Sequence, residues 1–233
     1  MAPDHFGSLV CRCALTGFYW FLRSTFQQFP LVPSYPGCYT VARFECFGEV
    51  SLLKKRSHKL LASALLHSQN GFHAKRFELA FLFGSFQPDC NPLTYLKGSR
   101  RAYRFRGHNF SNSQSYINVH IQRLQQRSHW TIWQYYTLGK LTHYLADAFT
   151  YPHNENYPDS VLDHRRYEDQ LRQYLADYLS HQEVRTQQLR QDLVTAIDQL
   201  HRQYTESRAS LERDIRYILE ATGLLMAGCV PQA

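Results

Sequence analysis

The sequence predicts an all-α fold, a multi-helix bundle. From Ser51 onward, apolar residues recur every three or four positions, which is the spacing of one helix face. Few segments alternate between apolar and polar residues, as a half-buried strand would. Because 44% of the 233 residues are hydrophobic, the chain can also bury a substantial core. We therefore expect a single all-helical domain over residues 51–233.

The first two predicted helices lie between Ser51 and Asp89. In the first, the apolar residues of 60–65 share one face. The strongly apolar run 77–84 favours a buried helix, and we expect it to end at Gln87-Pro-Asp89. Residues 91–107 are rich in Gly, Pro and Arg and are predicted to form a loop.

The next helices are predicted from their caps and apolar stripes. Ser111 or Ser113 is a suitable N-cap for the third helix. The fourth covers residues 130–150, and we expect it to stop or kink before Pro152. Three further helices are predicted over residues 157–180, 184–204 and 211–226.

Residues 1–50 differ in character from the remainder. Proline and glycine interrupt an aromatic, charge-poor stretch that has no clear period of a helix or of a strand. We hypothesise that this irregular segment is not part of the folded unit and that the functional chain begins near Val50.

Charge and cysteine content limit the partners and the compartment. The formal net charge of +7 favours an acidic partner such as phosphate, phospholipid or nucleic acid. The basic, aromatic run 97–106 fits an anionic membrane surface, a nucleic-acid backbone or simply a solvated loop. The six cysteines do not form a disulfide scaffold, and no apolar run approaches the roughly 20 residues of a membrane span. We expect a cytoplasmic protein, with peripheral membrane association left open.

Paired histidines and carboxylates are the strongest chemical signal. His143 and Asp147 are four residues apart, and His164 and Glu168 repeat that spacing. Residues four apart lie on one helix face, so each pair can reach a common ion. His153 follows the Pro152 break and is predicted to reach the same region from a loop. Each pair alone is more typical of a surface ion pair, but two pairs so close together favour a metal cluster between helices.

The candidate ligand set contains imidazoles and carboxylates and no cysteine, which suits zinc. Its members are His58, Asp89, His108, His143, Asp147, His153, His164 and Glu168. The remaining internal histidines lack a carboxylate at ligand spacing and are interpreted as surface or core residues: His67, His73, His120, His129, His181 and His201.

In the order of these ligands, residues 58–168 resemble the bacterial zinc-dependent phospholipase C family and, more distantly, the nucleases of the same all-helical superfamily. That family uses an early His, an Asp, a His, a His-x-x-x-Asp pair, a His and a His-x-x-x-Glu pair. The resemblance implies two zinc sites. One comprises Asp89, His108, His143 and Asp147, and the other comprises His153, His164 and Glu168.

A third zinc, shared by Asp147 and His58, is also implied by the resemblance. Secreted members of the family complete that site with the amino group of a mature amino-terminal tryptophan. We expect no cleavable segment ending just before a tryptophan here, so the expected content is two or three zinc ions.

The resemblance implies hydrolysis of a phospholipid phosphodiester by metal-activated water, with Asp89 both a ligand and the candidate general base. Nucleic acid is the less favoured substrate. Two alternatives remain: a nuclease or other phosphodiesterase of the superfamily, and a non-catalytic membrane-associated protein with a structural zinc site.

Overall fold

The computed structural model describes residues 45–69, 71–90, 110–154, 157, 161–182, 184 and 191–231. Over this part of the chain it contains seven α-helices and no strand, so the all-α prediction is confirmed. The helices are α1 Glu45–His67, α2 Lys75–Cys90, α3 Phe110–Gln125, α4 Ile132–Ala148, α5 Val161–His181, α6 Leu193–Glu206 and α7 Leu211–Cys229. A single 3₁₀ turn, Tyr151–His153, follows α4.

Helix α4 is the centre of the bundle and packs against α1, α2, α3 and α7. Its contact with α2 is the most extensive, because a glycine on each helix lets the two backbones approach closely. A Cβ at Gly84 would overlap the carbonyl of Tyr136, and a Cβ at Gly139 would overlap the carbonyl of Phe81. The fully buried Leu138 lies beside this contact in the core.

The ends of α4 explain how its last turns are positioned. Thr131 caps the first turn by accepting from the N–H of Trp133, and Gln134 accepts from the backbone of Thr131 in return, which completes a capping box. The helix ends at Ala148, before Pro152, which lies in the following 3₁₀ turn. His153 is therefore on a short helical turn and not on the predicted loop.

The structure differs from the prediction at three helix ends. Helix α2 contains Pro88 and ends at Cys90, just after the predicted end at Gln87-Pro-Asp89. Helix α3 begins at Phe110, whose ring stacks on His201, so Ser111 and Ser113 lie inside the helix and do not cap it.

The third difference concerns α6. This helix begins at Leu193 and not at Val184, because Asp192 is its N-cap and accepts from the N–H of Thr195. The predicted loop 91–107 lies outside the described residues, as do residues 1–44 of the amino-terminal segment. Among the described helices, none has the length and apolarity that a membrane span needs.

Candidate metal centre

His143 and Asp147 occupy the last turns of α4, on the side that faces the core. The His143 side chain is completely buried, and its Nε2 lies 3.3 Å from Asp147 Oδ2. On the other side of the ring, Nδ1 lies 3.0 Å from the carbonyl oxygen of Ser85 in α2. Since a carbonyl only accepts, Nδ1 carries the proton and Nε2 keeps its lone pair for a ligand. A backbone carbonyl holding one imidazole nitrogen is the usual partner of a metal-bound histidine.

His58 and Asp89 bring a second imidazole and a second carboxylate to the same place. His58 Nε2 lies 3.3 Å from Asp147 Oδ1, and the rings of His58 and His143 are 4.0 Å apart between centroids. Asp89, in the last turn of α2, lies 3.8 Å from the Nε2 atoms of both histidines, through one oxygen to each. Helices α1, α2 and α4 thus contribute two imidazole nitrogens and two carboxylates to the first group. Each imidazole nitrogen lies between the two carboxylates.

A second group consists of His153, His164 and Glu168. The two histidines approach the same carboxylate oxygen, Glu168 Oε1, at 3.2 Å from His153 Nε2 and 2.7 Å from His164 Nε2. The other ring nitrogen of His153 is directed toward the first group, since Nδ1 lies 3.9 Å from Asp147 Oδ2. Asp147 is therefore the residue at which the two groups meet.

Both groups fit a metal by the spacing and chemistry of their donors. Within each of the trios His58, His143, Asp147 and His153, His164, Glu168, one ligand atom per residue lies within 4.8 Å of the others. With zinc–ligand bonds of about 2.0–2.1 Å, two donors of a tetrahedral zinc ion lie about 3.4 Å apart. The three contacts of 3.2–3.3 Å match that spacing, and the 2.7 Å contact is a direct hydrogen bond that an ion would replace.

The electrostatics of the first group also favour a cation. Burial alone would lower the pKa of His143, but the carboxylates of Asp147 and Asp89 outweigh it and raise that pKa. Burial alone would raise the pKa of Asp147, but His153 and His143 hold it well below its usual value. Two carboxylates whose charge outweighs the burial of this imidazole leave an excess of negative charge at the site, which a divalent cation neutralises.

An apolar pocket lies beside both groups. His58, Asp89, Asp147, His153 and Glu168 line one part of it. Much of the remaining wall comes from aliphatic residues of α1, α5 and α7, namely Leu61, Leu171, Leu175, Ile215 and Ile218. The donor atoms therefore border a small cavity of about 50 Å³ whose aliphatic walls restrict water.

Asp214 is a site-supporting residue that the sequence interpretation did not identify. Its side chain is fully buried in α7, where Oδ2 accepts from the N–H of Tyr151 at 2.7 Å and from the hydroxyl of Tyr167 at 2.8 Å. Tyr151 is two residues before His153, and Tyr167 immediately precedes Glu168. Asp214 thus ties the 3₁₀ turn and α5, which carry the second group, to a common point.

The other oxygen of Asp214 holds the network together. Oδ1 accepts from the Tyr204 hydroxyl at 2.9 Å and from two nitrogens of Arg213, at 2.7 and 3.0 Å. A signal in the sequence was present, because Asp214 lies three residues after Leu211 and four before Ile218, on the apolar face of α7, where a carboxylate needs a buried partner.

The structure brings seven of the eight predicted site residues into these two groups, while His108 lies outside the described residues. His58, which was expected to share a third ion with Asp147, contacts Asp147 at 3.3 Å and lies against the ring of His143. The buried His201 contacts Phe110 and Phe149 and belongs to the core.

Comparison with known proteins identifies the family. No curated protein and no solved structure matches the chain significantly. The sequence profile described as zinc dependent phospholipase C matches residues 57–211, which is more than half of the chain and includes both groups of donors. The chain belongs to the zinc-dependent phospholipase C family.

Proposed function

We propose that this protein is a zinc-dependent phosphodiesterase that hydrolyses a phospholipid. The observation that carries the proposal is the pair of histidine–carboxylate groups that meet at Asp147 beside an apolar pocket. Family membership supports a zinc phosphoesterase and suggests a phospholipid as its substrate.

His58, Asp89, His143 and Asp147 would hold one zinc ion, and His153, His164 and Glu168 would hold another. Zinc bound there would lower the pKa of a bound water toward about 7 and neutralise negative charge on the phosphate. The sequence resemblance adds His108 to the first site and allows a third ion between Asp147 and His58. A metal count distinguishes two ions from three.

Asp89 is the carboxylate that we propose as general base. Its side chain is 4% exposed and faces the two imidazoles of the first group. Asp147 contacts histidines of both groups, so its oxygens are committed to holding them. The sequence resemblance to the family supports Asp89 as the carboxylate that accepts a proton from an attacking water.

The test combines a zinc count with a substrate panel. Elemental analysis of the purified protein should give at least two zinc ions per chain. Hydrolysis is then measured on phosphatidylcholine in mixed micelles, on bis(4-nitrophenyl) phosphate and on single-stranded DNA. Phospholipid hydrolysis supports the proposal, preferential cleavage of DNA supports a nuclease, and a single tightly bound ion without hydrolysis supports a structural site.

His143→Ala should abolish hydrolysis and reduce the zinc content. The matched control is His181→Ala. The sequence interpretation overlooked its carboxylate, since Asp177 lies four residues before His181 and 3.9 Å from it, but both of those side chains are exposed. Equal loss of activity in the two variants would contradict the assignment.

A further inference from the structure

Arg172 is a charged residue in the pocket that the ligand set does not use. It lies on α5, one turn after Glu168, and lines the same pocket as Asp147 and His153. Among the described residues that line this pocket, Arg172 is the only arginine or lysine. An arginine stays protonated at any physiological pH, so this wall carries a permanent positive charge.

The guanidinium of Arg172 has hydrogen-bonding capacity left over. Its Nη2 is 3.4 Å from Asp169 Oδ1, which is a long contact to a carboxylate that is itself 43% exposed. Its Nε–H is buried and makes no hydrogen bond with any described residue. Burying such a donor without a partner is unfavourable, so a buried guanidinium N–H normally has an acceptor in the working protein.

Arg213 shows what an arginine with a purely structural role looks like in this fold. All three of its nitrogens donate at 3.0 Å or less, to Asp214, the Tyr204 hydroxyl and the carbonyl of Ser207. Arg172 lacks such a set of partners, although it is also partly buried, with 27% of its side chain exposed. The difference indicates that the missing acceptor of Arg172 lies outside the described residues, and its place on the pocket wall favours a bound ligand.

We propose that Arg172 binds an anionic oxygen of the phosphate group of the substrate and so determines the specificity of the pocket for phosphoesters. The inference rests on the proposed function. The planar guanidinium presents N–H groups in a fork that matches two phosphate oxygens, which a lysine cannot reproduce. Among the described residues that line the pocket, the only other charged or titratable side chains belong to the candidate metal ligands. Arg172 therefore orients the phosphate against the histidine–carboxylate groups.

The binding test uses inorganic phosphate as the probe. Isothermal calorimetry on the zinc-loaded protein measures the phosphate Kd of wild type, Arg172→Gln and Arg172→Lys. Loss of a charge-assisted hydrogen bond should weaken binding about tenfold to a hundredfold in Arg172→Gln. Arg172→Lys keeps the positive charge but loses the paired N–H groups of the guanidinium. Its phosphate Kd should therefore lie between those of wild type and Arg172→Gln.

Arg166→Gln is the matched control. Arg166 lies on the same helix and also faces an aspartate three residues before it, Asp163, at 4.0 Å, but its side chain is 81% exposed. Its phosphate Kd and zinc content should equal those of wild type. Kinetics with bis(4-nitrophenyl) phosphate add a second readout, in which Arg172→Gln should lower kcat/KM by about tenfold or more at unchanged zinc content.

Each outcome decides the role of Arg172 separately from the proposed function. If wild type hydrolyses no phosphoester but Arg172→Gln still loses phosphate affinity, the enzymatic proposal fails and the anion site stands. An unchanged phosphate Kd in Arg172→Gln, or no phosphate binding by wild type, overturns the site. A loss of zinc in Arg172→Gln assigns Arg172 a structural role instead and also overturns it.

Discussion

Replacing Asp214 by asparagine should weaken both the fold and the second group of donors. The Asp214 carboxylate accepts five hydrogen bonds, two of them from Arg213. An asparagine at this position keeps one oxygen but replaces the other by an NH₂ group. That group cannot accept a hydrogen bond from the donors that bind the second oxygen of Asp214. If the oxygen stays with Arg213, the Tyr151 N–H and the Tyr167 hydroxyl lose their acceptor, at about 1–3 kcal/mol each.

The loss of charge adds to this cost. Arg213 keeps its guanidinium, which then lies without an opposing charge in a site where its own side chain is 7% exposed. Breaking a buried ion pair by removing one partner costs about 3–5 kcal/mol. The two effects overlap, so we expect the free energy of unfolding to fall by about 3–5 kcal/mol in Asp214→Asn. That is a large fraction of the about 5–15 kcal/mol that stabilises a typical domain.

Asp214→Asn should weaken zinc binding at the second group of donors and leave zinc binding at the first group unchanged. Tyr151 and Tyr167 position His153 and Glu168, whereas His58 and His143 belong to α1 and α4 and have no contact with Asp214 among the hydrogen bonds described. Loss of such supporting hydrogen bonds typically weakens metal binding about 10- to 100-fold. Competition with a chromophoric chelator should show one weakened site and one unchanged site per chain.

Urea unfolding and the zinc titration are measured together on Asp214→Asn and on Asp192→Asn. Asp192 is an exposed N-cap, and asparagine is an equally good cap, so this control should behave as wild type. Equal weakening of both zinc sites, or a stability equal to that of wild type, would refute the positioning role of Asp214.

Two further predictions concern stability. Burial lowers the pKa of His201 to about 4, while an unfolded histidine titrates near 6.5. As the pH falls from about 6.5 to 4, this histidine is protonated in the unfolded chain before it is protonated in the folded one. The free energy of unfolding of wild type should therefore fall by about 3 kcal/mol over that range. His201→Phe has no group that titrates there and should not show this loss. Urea midpoints of the zinc-free proteins against pH measure this, and equal pH slopes would contradict it. Gly139→Ala should destabilise the protein by about 1–3 kcal/mol in urea unfolding, because its Cβ meets the Phe81 carbonyl. Helix propensity alone predicts a gain of up to about 1 kcal/mol, so a stabilised variant would show that the helices can separate freely.

Local periodicity explains the part of the fold that the sequence predicts well. The spacing of His143 to Asp147, and of His164 to Glu168, is fixed by one helical turn, so these pairs follow directly from sequence. The helix ends were less predictable, because Asp192 competes with other cap candidates.

Contacts between helices account for what sequence reasoning could not supply. The 3.3 Å contact between His58 and Asp147 depends on how α1 packs against α4, which no spacing along the chain determines. The order of ligands in a known family was needed to select His58 and Asp89. Asp214 carried a signal as a carboxylate on an apolar face, but its partners come from α5, α6 and the 3₁₀ turn.

The close approach of α2 and α4 also affects which nitrogen of His143 carries the proton. Ser85, whose carbonyl accepts from His143 Nδ1, directly follows Gly84, the residue whose missing side chain lets the two helices touch. Farther apart, the helices would move that carbonyl out of hydrogen-bonding range, and the proton of His143 would be free to move to Nε2, the atom that faces the two carboxylates. The absence of two methyl groups, at Gly84 and Gly139, thus decides which nitrogen of His143 is left to bind a metal.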